Sequence, residues 1–227
     1  MASTSKSAQA TSNSSSSSTS STLTVQPLGS GREVGRSCHL VKFKGKTVLL
    51  DAGIHPGKRG MDALPFFDLV EDLASIDILL ISHFHLDHVA SLPYLMQKTK
   101  FKGRVFMTHP TLAVTKLLLL DYVRVSGVQR QGRGENLEEP LYDDKDITNC
   151  LARCEKIDFH QQMEVNGIKF TAYNAGHVLG ACQYLIEIAG VRILYTGDFS
   201  REDDRHLMGA EWFVCCDCCK RGRVDES

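Results

Sequence analysis

Residues 76–88 read IDILLISHFHLDH, an apolar run that ends in a six-residue cluster of three histidines and an aspartate. The run has the composition of a strand buried on both faces. The cluster, HFHLDH at 83–88, is unusually rich in side chains that ligate metals. Imidazole nitrogen and carboxylate oxygen both suit zinc, which is usually four-coordinate. On an extended backbone His83 and His85 project to the same side, while Asp87 and His88 fall on the turn entering a following helix. Six residues are too few to wrap one tetrahedral ion with all four groups. Two neighbouring ions sharing the cluster is the economical reading, and paired ions about 3.5–4 Å apart suit phosphodiester or related hydrolysis.

Further ligand candidates stand at the ends of other predicted strands. Asp51 ends TVLLD, His177 follows IKFTAY in the sequence Asn174-Ala175-Gly176-His177, and Asp198 follows VRILY in Thr196-Gly197-Asp198. Glycine before His177 and before Asp198 lets the chain turn sharply out of a sheet. Ligands at several strand ends describe a site built along one edge of a layered sheet structure. A lone histidine is more often a satisfied structural residue, but that reading does not explain one dense cluster plus three spaced partners. The remaining histidines lack such company. His39 and His160 read as strand-side residues, His109 as a turn residue before Pro110, and His206 as part of a solvated helix face.

The rest of the 227-residue chain gives the setting. Its hydrophobic content of 42%, charged content of 23% and net charge of −1 are ordinary for a globular protein and supply no basic field for nucleic acid. The densest basic stretch, KTKFKGR at 98–104, reads as a solvated loop. Eight cysteines, four of them crowded between Cys215 and Cys219, follow no apolar signal segment, so free thiols in a reducing compartment are expected. No apolar run is long enough to cross a membrane. Residues 1–22 contain eleven Ser and four Thr and read as a disordered tail; a transit peptide is the alternative, although arginine is missing.

From Leu23 onward, TLTVQPLG, SCHLVKF and KTVLLDAG predict antiparallel strands, and VASLPYLMQK and TLAVTKLLLLDYV predict helices, Pro93 lying near a helix start. Residues 126–148 are polar and read as a surface loop. Asn166-Gly167 and Ala189-Gly190 predict two hairpins. The expected fold class is α/β, a layered sandwich rather than a doubly wound sheet.

The motif series resembles the metallo-β-lactamase superfamily. GREVGRSC, DAGIHPG, SHFHLDHVASLPYL, VFMTHPT, FTAYNAGHVLGA and RILYTGDFSREDDRHL are more specific still. They resemble the β-CASP nuclease branch, and within it the RNA-cleaving endonuclease subunits of the cleavage and polyadenylation specificity factor. The resemblance runs from about Thr24 to Glu211. It implies an αββα sandwich with two zinc ions: His83, His85 and His177 on one, Asp87 and His88 on the second, and Asp198 bridging. Asp51 would orient ligands from behind. Catalytic roles fall to Asp87, Asp198 and Asp51, with a hydroxide between the ions attacking an RNA phosphodiester. Pre-mRNA and the other subunits of the processing complex are the implied partners, and the nucleus is the implied location. Aspartate rather than cysteine at 198 argues against a lactamase that uses a cysteine ligand there.

Past Glu211 the resemblance stops. The domain expected over 23–211 is therefore incomplete, without the β-CASP domain and the closing elements, and 212–227 reads as an unrelated Cys-rich tail. Adjacent cysteines lack the separated pairs of a structural zinc site. The second zinc would lack one family ligand, and cleavage by this chain would be weak or absent. A non-catalytic metal-binding or partner-binding fragment is the alternative from another class, and a small-molecule hydrolase of the glyoxalase kind is a third.

Overall fold

The computed structural model describes residues 21–131, 140–202 and 204–212. The Cys-rich stretch 215–219 and nearly all of the Ser-rich tail lie outside the described residues. Strands β1 (Thr24–Gly29), β2 (Cys38–Phe43) and β3 (Lys46–Leu50) form an antiparallel meander. Strands β4 (Ile78–Leu80), β5 (Arg104–Thr108) and β6 (Cys154–Ile157) then add in parallel, giving a six-stranded sheet ordered β1-β2-β3-β4-β5-β6. A second, antiparallel sheet is ordered β10-β9-β8-β7, from β7 (Gln162–Val165), β8 (Ile168–Asn174), β9 (Cys182–Ile188) and β10 (Val191–Tyr195).

Side-chain alternation sorts the first sheet into two faces. Val41, Val48, Leu50, Ile78, Leu80 and Phe106 meet Ile168, Phe170, Tyr184, Ile186 and Ile188 of the second sheet in one buried layer. Leu40, Leu49, Leu79, Val105 and Met107 point the other way, onto Val89, Leu92, Leu95, Met96 and Cys150 of the helices. Every residue of β4 is buried, as expected for a strand covered on both sides. The outer face of the second sheet is less covered, with Leu194 39% exposed on its edge strand β10.

Among the described residues, four α-helices connect the strands. α1 (Leu86–Val89) and α2 (Leu92–Lys98) divide the single helical stretch expected after the histidine cluster, and Pro93 sits in the first turn of α2, where its missing N–H costs nothing. Both predicted hairpins form. Asn166 and Gly167 adopt φ of 51° and 78°, and Ala189 and Gly190 48° and 83°.

Of the loop expected over 126–148, residues 126–131 and 144–148 are helical, while 132–139 lie outside the described residues. α3 runs from His109 to Gln131, and α4 (Asp144–Ala152) starts in a capping box in which Asp143 and Asp146 exchange backbone hydrogen bonds. Polarity misled here, because straight-chain polar residues such as Arg and Gln sustain a helix as well as apolar ones do. His109 opens α3 rather than occupying a turn. His160 lies in the turn before β7 with φ of 64°, not on a strand, and His206 lies on an irregular exposed segment rather than a helix. The basic stretch 98–104 is a loop over 99–103, but it is partly anchored: Phe101 is buried, Lys98 pairs with Asp146 at 2.6 Å, and Arg104 makes a two-pronged contact with Glu155. Cys38, Cys150, Cys154 and Cys182 are free thiols. Among the described residues no helix is long and apolar enough to cross a membrane.

Candidate metal centre

The C-terminal ends of β3, β4, β8 and β10 meet on one rim of the two sheets, and each delivers polar residues there. The chain leaving β4 carries Ser82, His83 and His85, and α1 then presents Asp87 and His88. The loop from β8 to β9 brings His177 at φ of 59°, and the turn after β10 brings Asp198. Two glycines allow this convergence. A Cβ on Gly53 would lie 1.6 Å from the Asp87 carbonyl oxygen, so the strand leaving β3 touches α1 backbone to backbone. A Cβ on Gly197 would lie 2.7 Å from Ser82 Oγ, and its φ is 54°.

His83, His85, His177 and Asp198 each present one donor atom, all within 4.8 Å of one another. His83 Nε2 lies 3.0 Å from His85 Nδ1, and His85 Nδ1 lies 3.3 Å from His177 Nε2. The three rings stand nearly perpendicular to each other, with interplanar angles of 79°, 87° and 88°. A tetrahedral ion with ligands at about 2.0–2.1 Å sets its nitrogens about 3.3 Å apart. The observed nitrogen spacings match that edge, so the residues fit such an ion.

Asp87 and His88 do not join this four-residue group. They form a looser set around the other side of Asp198. His88 Nε2 is 3.7 Å from Asp87 Oδ2 and 3.6 Å from Asp198 Oδ1, while Asp198 Oδ2 is 3.8 Å from His177 Nε2. Asp198 thus turns one oxygen to each set.

Asp51 contacts neither the first group nor solvent. It is fully buried at φ of 59° and accepts four hydrogen bonds: from Ser82 N at 2.7 Å, Ser82 Oγ at 2.7 Å, His88 Nδ1 at 2.7 Å and Tyr195 Oη at 2.6 Å. Burial alone would raise its pKa, yet the hydrogen bond and charge of His88, with further help from His83 and Ser82, hold the carboxyl below the usual range.

The histidines differ sharply. Burial, followed by the charge of His88, whose ring centroid lies 4.2 Å away, lowers His83 to about 3. Burial and then His177 lower His85. In His88 burial works the same way, but the hydrogen bond and charge of Asp51, then Asp198 and Asp87, raise it to about 9. His83 Nδ1 rests 3.0 Å from Ser82 Oγ and His88 Nδ1 on Asp51, so both rings turn Nε2 toward the centre.

Sequence reasoning places His83, His85, Asp87, His88, His177, Asp198 and Asp51 on this rim. It does not single out Ser82 or Tyr195, the two hydroxyls that share Asp51. The available signal is physical: an aspartate ending a buried strand needs donors, and both hydroxyls immediately precede or closely precede predicted ligands.

A family profile described as "Metallo-beta-lactamase superfamily domain" matches residues 40–218. Among curated proteins, the chain is 64% identical over 184 residues to Endoribonuclease ysh1 of Schizosaccharomyces pombe, covering 81% of this chain and 23% of that protein. It is 60% identical over 189 residues to Cleavage and polyadenylation specificity factor subunit 3-I of Arabidopsis thaliana, covering 83% of this chain and 26% of that protein. It is 58% identical over 190 residues to Cleavage and polyadenylation specificity factor subunit 3 of Dictyostelium discoideum, covering 83% and 24%. The chain therefore spans about a quarter of the length of these relatives. A solved protein of unknown function from Enterococcus faecalis V583 shares the fold, with a TM-score of 0.50 at 17% identity over 79% of this chain and 44% of that one. The profile match extends over well more than half of the sequence, and the chain belongs to the metallo-β-lactamase superfamily.

Proposed function

We propose that the chain carries the metal-holding part of a zinc-dependent RNA endonuclease acting in pre-mRNA 3′-end cleavage and polyadenylation. The observation that carries this reading is the meeting of His83, His85, His177 and Asp198 within 4.8 Å, in a chain about 60% identical to such subunits. His83, His85 and His177 would hold one zinc, Asp87 and His88 would help hold a second, and Asp198 would serve both. Zinc bound there would supply an acidified water and neutralise charge building on a phosphodiester.

The protein's own residues prepare the centre. Asp51 keeps the Nδ1 proton of His88 and so fixes which nitrogen faces Asp87 and Asp198. Ser82 does the corresponding work for His83. Asp198 divides its oxygens between the two ligand sets, which keeps both at one spacing. Asp87, on the first turn of α1, adds negative charge that favours a cation beside His88. The substrate is RNA, in the nucleus, delivered by the other subunits of the processing complex, since the net charge of −1 supplies no broad basic surface of its own.

Elemental analysis of the purified 227-residue chain tests the reading. One firmly held zinc per chain is expected, falling on His85→Ala, with a second ion held more weakly because one ligand of that site is missing and with cutting of single-stranded RNA weak or absent. A chain that takes up no zinc would overturn it.

A further inference from the structure

The four donors on Asp51 do not have the same origin. Ser82 and His88 belong to the stretch that follows β4, in the same sheet as Asp51. Tyr195 is the last residue of β10, in the opposite sheet, and reaches across the rim. Its hydroxyl donates at 2.6 Å to Asp51 Oδ2, the same oxygen that holds His88 Nδ1 at 2.7 Å. Ser37 in turn donates to the Tyr195 hydroxyl, and the Ser37 backbone N–H donates to the Asp87 carbonyl at 2.8 Å. Three residues beyond Tyr195 stands Asp198, whose Oδ1 lies 3.6 Å from His88 Nε2.

From this arrangement we infer that Tyr195 is a positioning residue for the second ion. Its hydroxyl is a polar strut that joins the end of β10 to the Asp51–His88 pair, and so sets the separation of His88 from Asp198. The Tyr195 ring packs against the layer between the sheets, and its hydroxyl takes as its partner the one carboxylate that also holds His88. The hydroxyl oxygen, rather than the ring, carries the function. The inference rests on the two-ion reading of the centre given above. It concerns only the ion beside His88: the His83, His85 and His177 set makes no contact with Tyr195 in this geometry.

Cobalt(II) titration of the full 227-residue chain, followed by visible absorption and chelator competition, tests it. His88→Gln identifies the signal of the second ion. Tyr195→Phe keeps the ring and should weaken that signal's affinity about tenfold or more, the usual effect of losing a group that orients a ligand, while the other cobalt signal stays unchanged. Ile193→Val, on the same strand but away from Asp51, should leave both signals alone. Equal affinity in Tyr195→Phe and wild type would overturn the inference. Equal weakening in Tyr195→Phe and Ile193→Val would also overturn it, since strand stability would then explain the effect. A wild-type chain with no His88-dependent signal would remove the two-ion reading and the inference together, a result distinct from either of those. Should Tyr195→Phe fail to fold, Ser37→Ala, which removes the hydroxyl held by Tyr195, should produce a smaller weakening of the same signal; no change there would count against the inference.

Discussion

The two sides of the candidate metal centre set the same side chain in opposite electrostatic surroundings. The ring centroids of His83 and His88 lie 4.2 Å apart at a 45° tilt, yet one is driven down to about 3 and the other up to about 9. The ring itself does not decide this. Behind His83 is a neutral hydroxyl, Ser82, and behind His88 is a buried carboxylate, Asp51. The difference teaches that the group at Nδ1 sets what Nε2 offers. His83 presents a free lone pair, whereas His88 presents a proton that a cation must displace.

Removing Asp51 should break this contrast most severely. Asp51→Ala strands three donor groups and an imidazolium in a dry pocket, which should cost about 3–5 kcal/mol in urea unfolding of the metal-free chain. The contrast itself has a pH signature in EDTA. The raised His88 pKa contributes stability that is complete below about pH 6.5 and is lost as pH rises through about 9. The depressed His83 pKa contributes stability present above about pH 6.5 and lost as pH falls toward about 3. The shifts correspond to about 3 kcal/mol for His88 and about 5 kcal/mol for His83. Unfolding measured at pH 5, 7 and 9 should therefore lose its alkaline slope in His88→Gln and its acid slope in His83→Gln. The same slopes in both variants would show that the two rings are not distinguished by their partners.

Ser82→Ala is a milder perturbation. It deletes one charge-assisted hydrogen bond to Asp51 and the neighbour of His83 Nδ1, and should cost about 2 kcal/mol by urea unfolding. Smallest is Lys98→Met, remote from the rim. Its 2.6 Å pair with Asp146 has a 44% exposed lysine and should contribute about 0.5 kcal/mol, with no change in metal uptake.

The contrast also divides what the sequence made legible. The ligand candidates lie at strand ends marked by local signals: an apolar run, a glycine, then His or Asp. Such signals are read within ten residues, and all seven predicted residues reach the rim. The hairpins at Asn166-Gly167 and Ala189-Gly190 are legible for the same reason, since a tight turn is decided by two residues. What stands behind the ligands is not local. Asp51 finds Ser82 31 residues away and Tyr195 144 residues away. Nothing in either neighbourhood announces the pairing, which depends on two sheets closing on each other. The end of α3 and the start of α4 were hidden differently, because helices with polar faces look like loops when only hydropathy is followed.

The close approach at Gly53 bears on redesign. An engineer wishing to change which ion the centre prefers would exchange histidines and aspartates, and those side chains can be swapped without moving the chain. Gly53 allows no such exchange. Even one methyl there would push against the Asp87 carbonyl and tilt α1, carrying Asp87 and His88 away together. The atom that this residue lacks is as much a specification of the centre as any atom its neighbours provide.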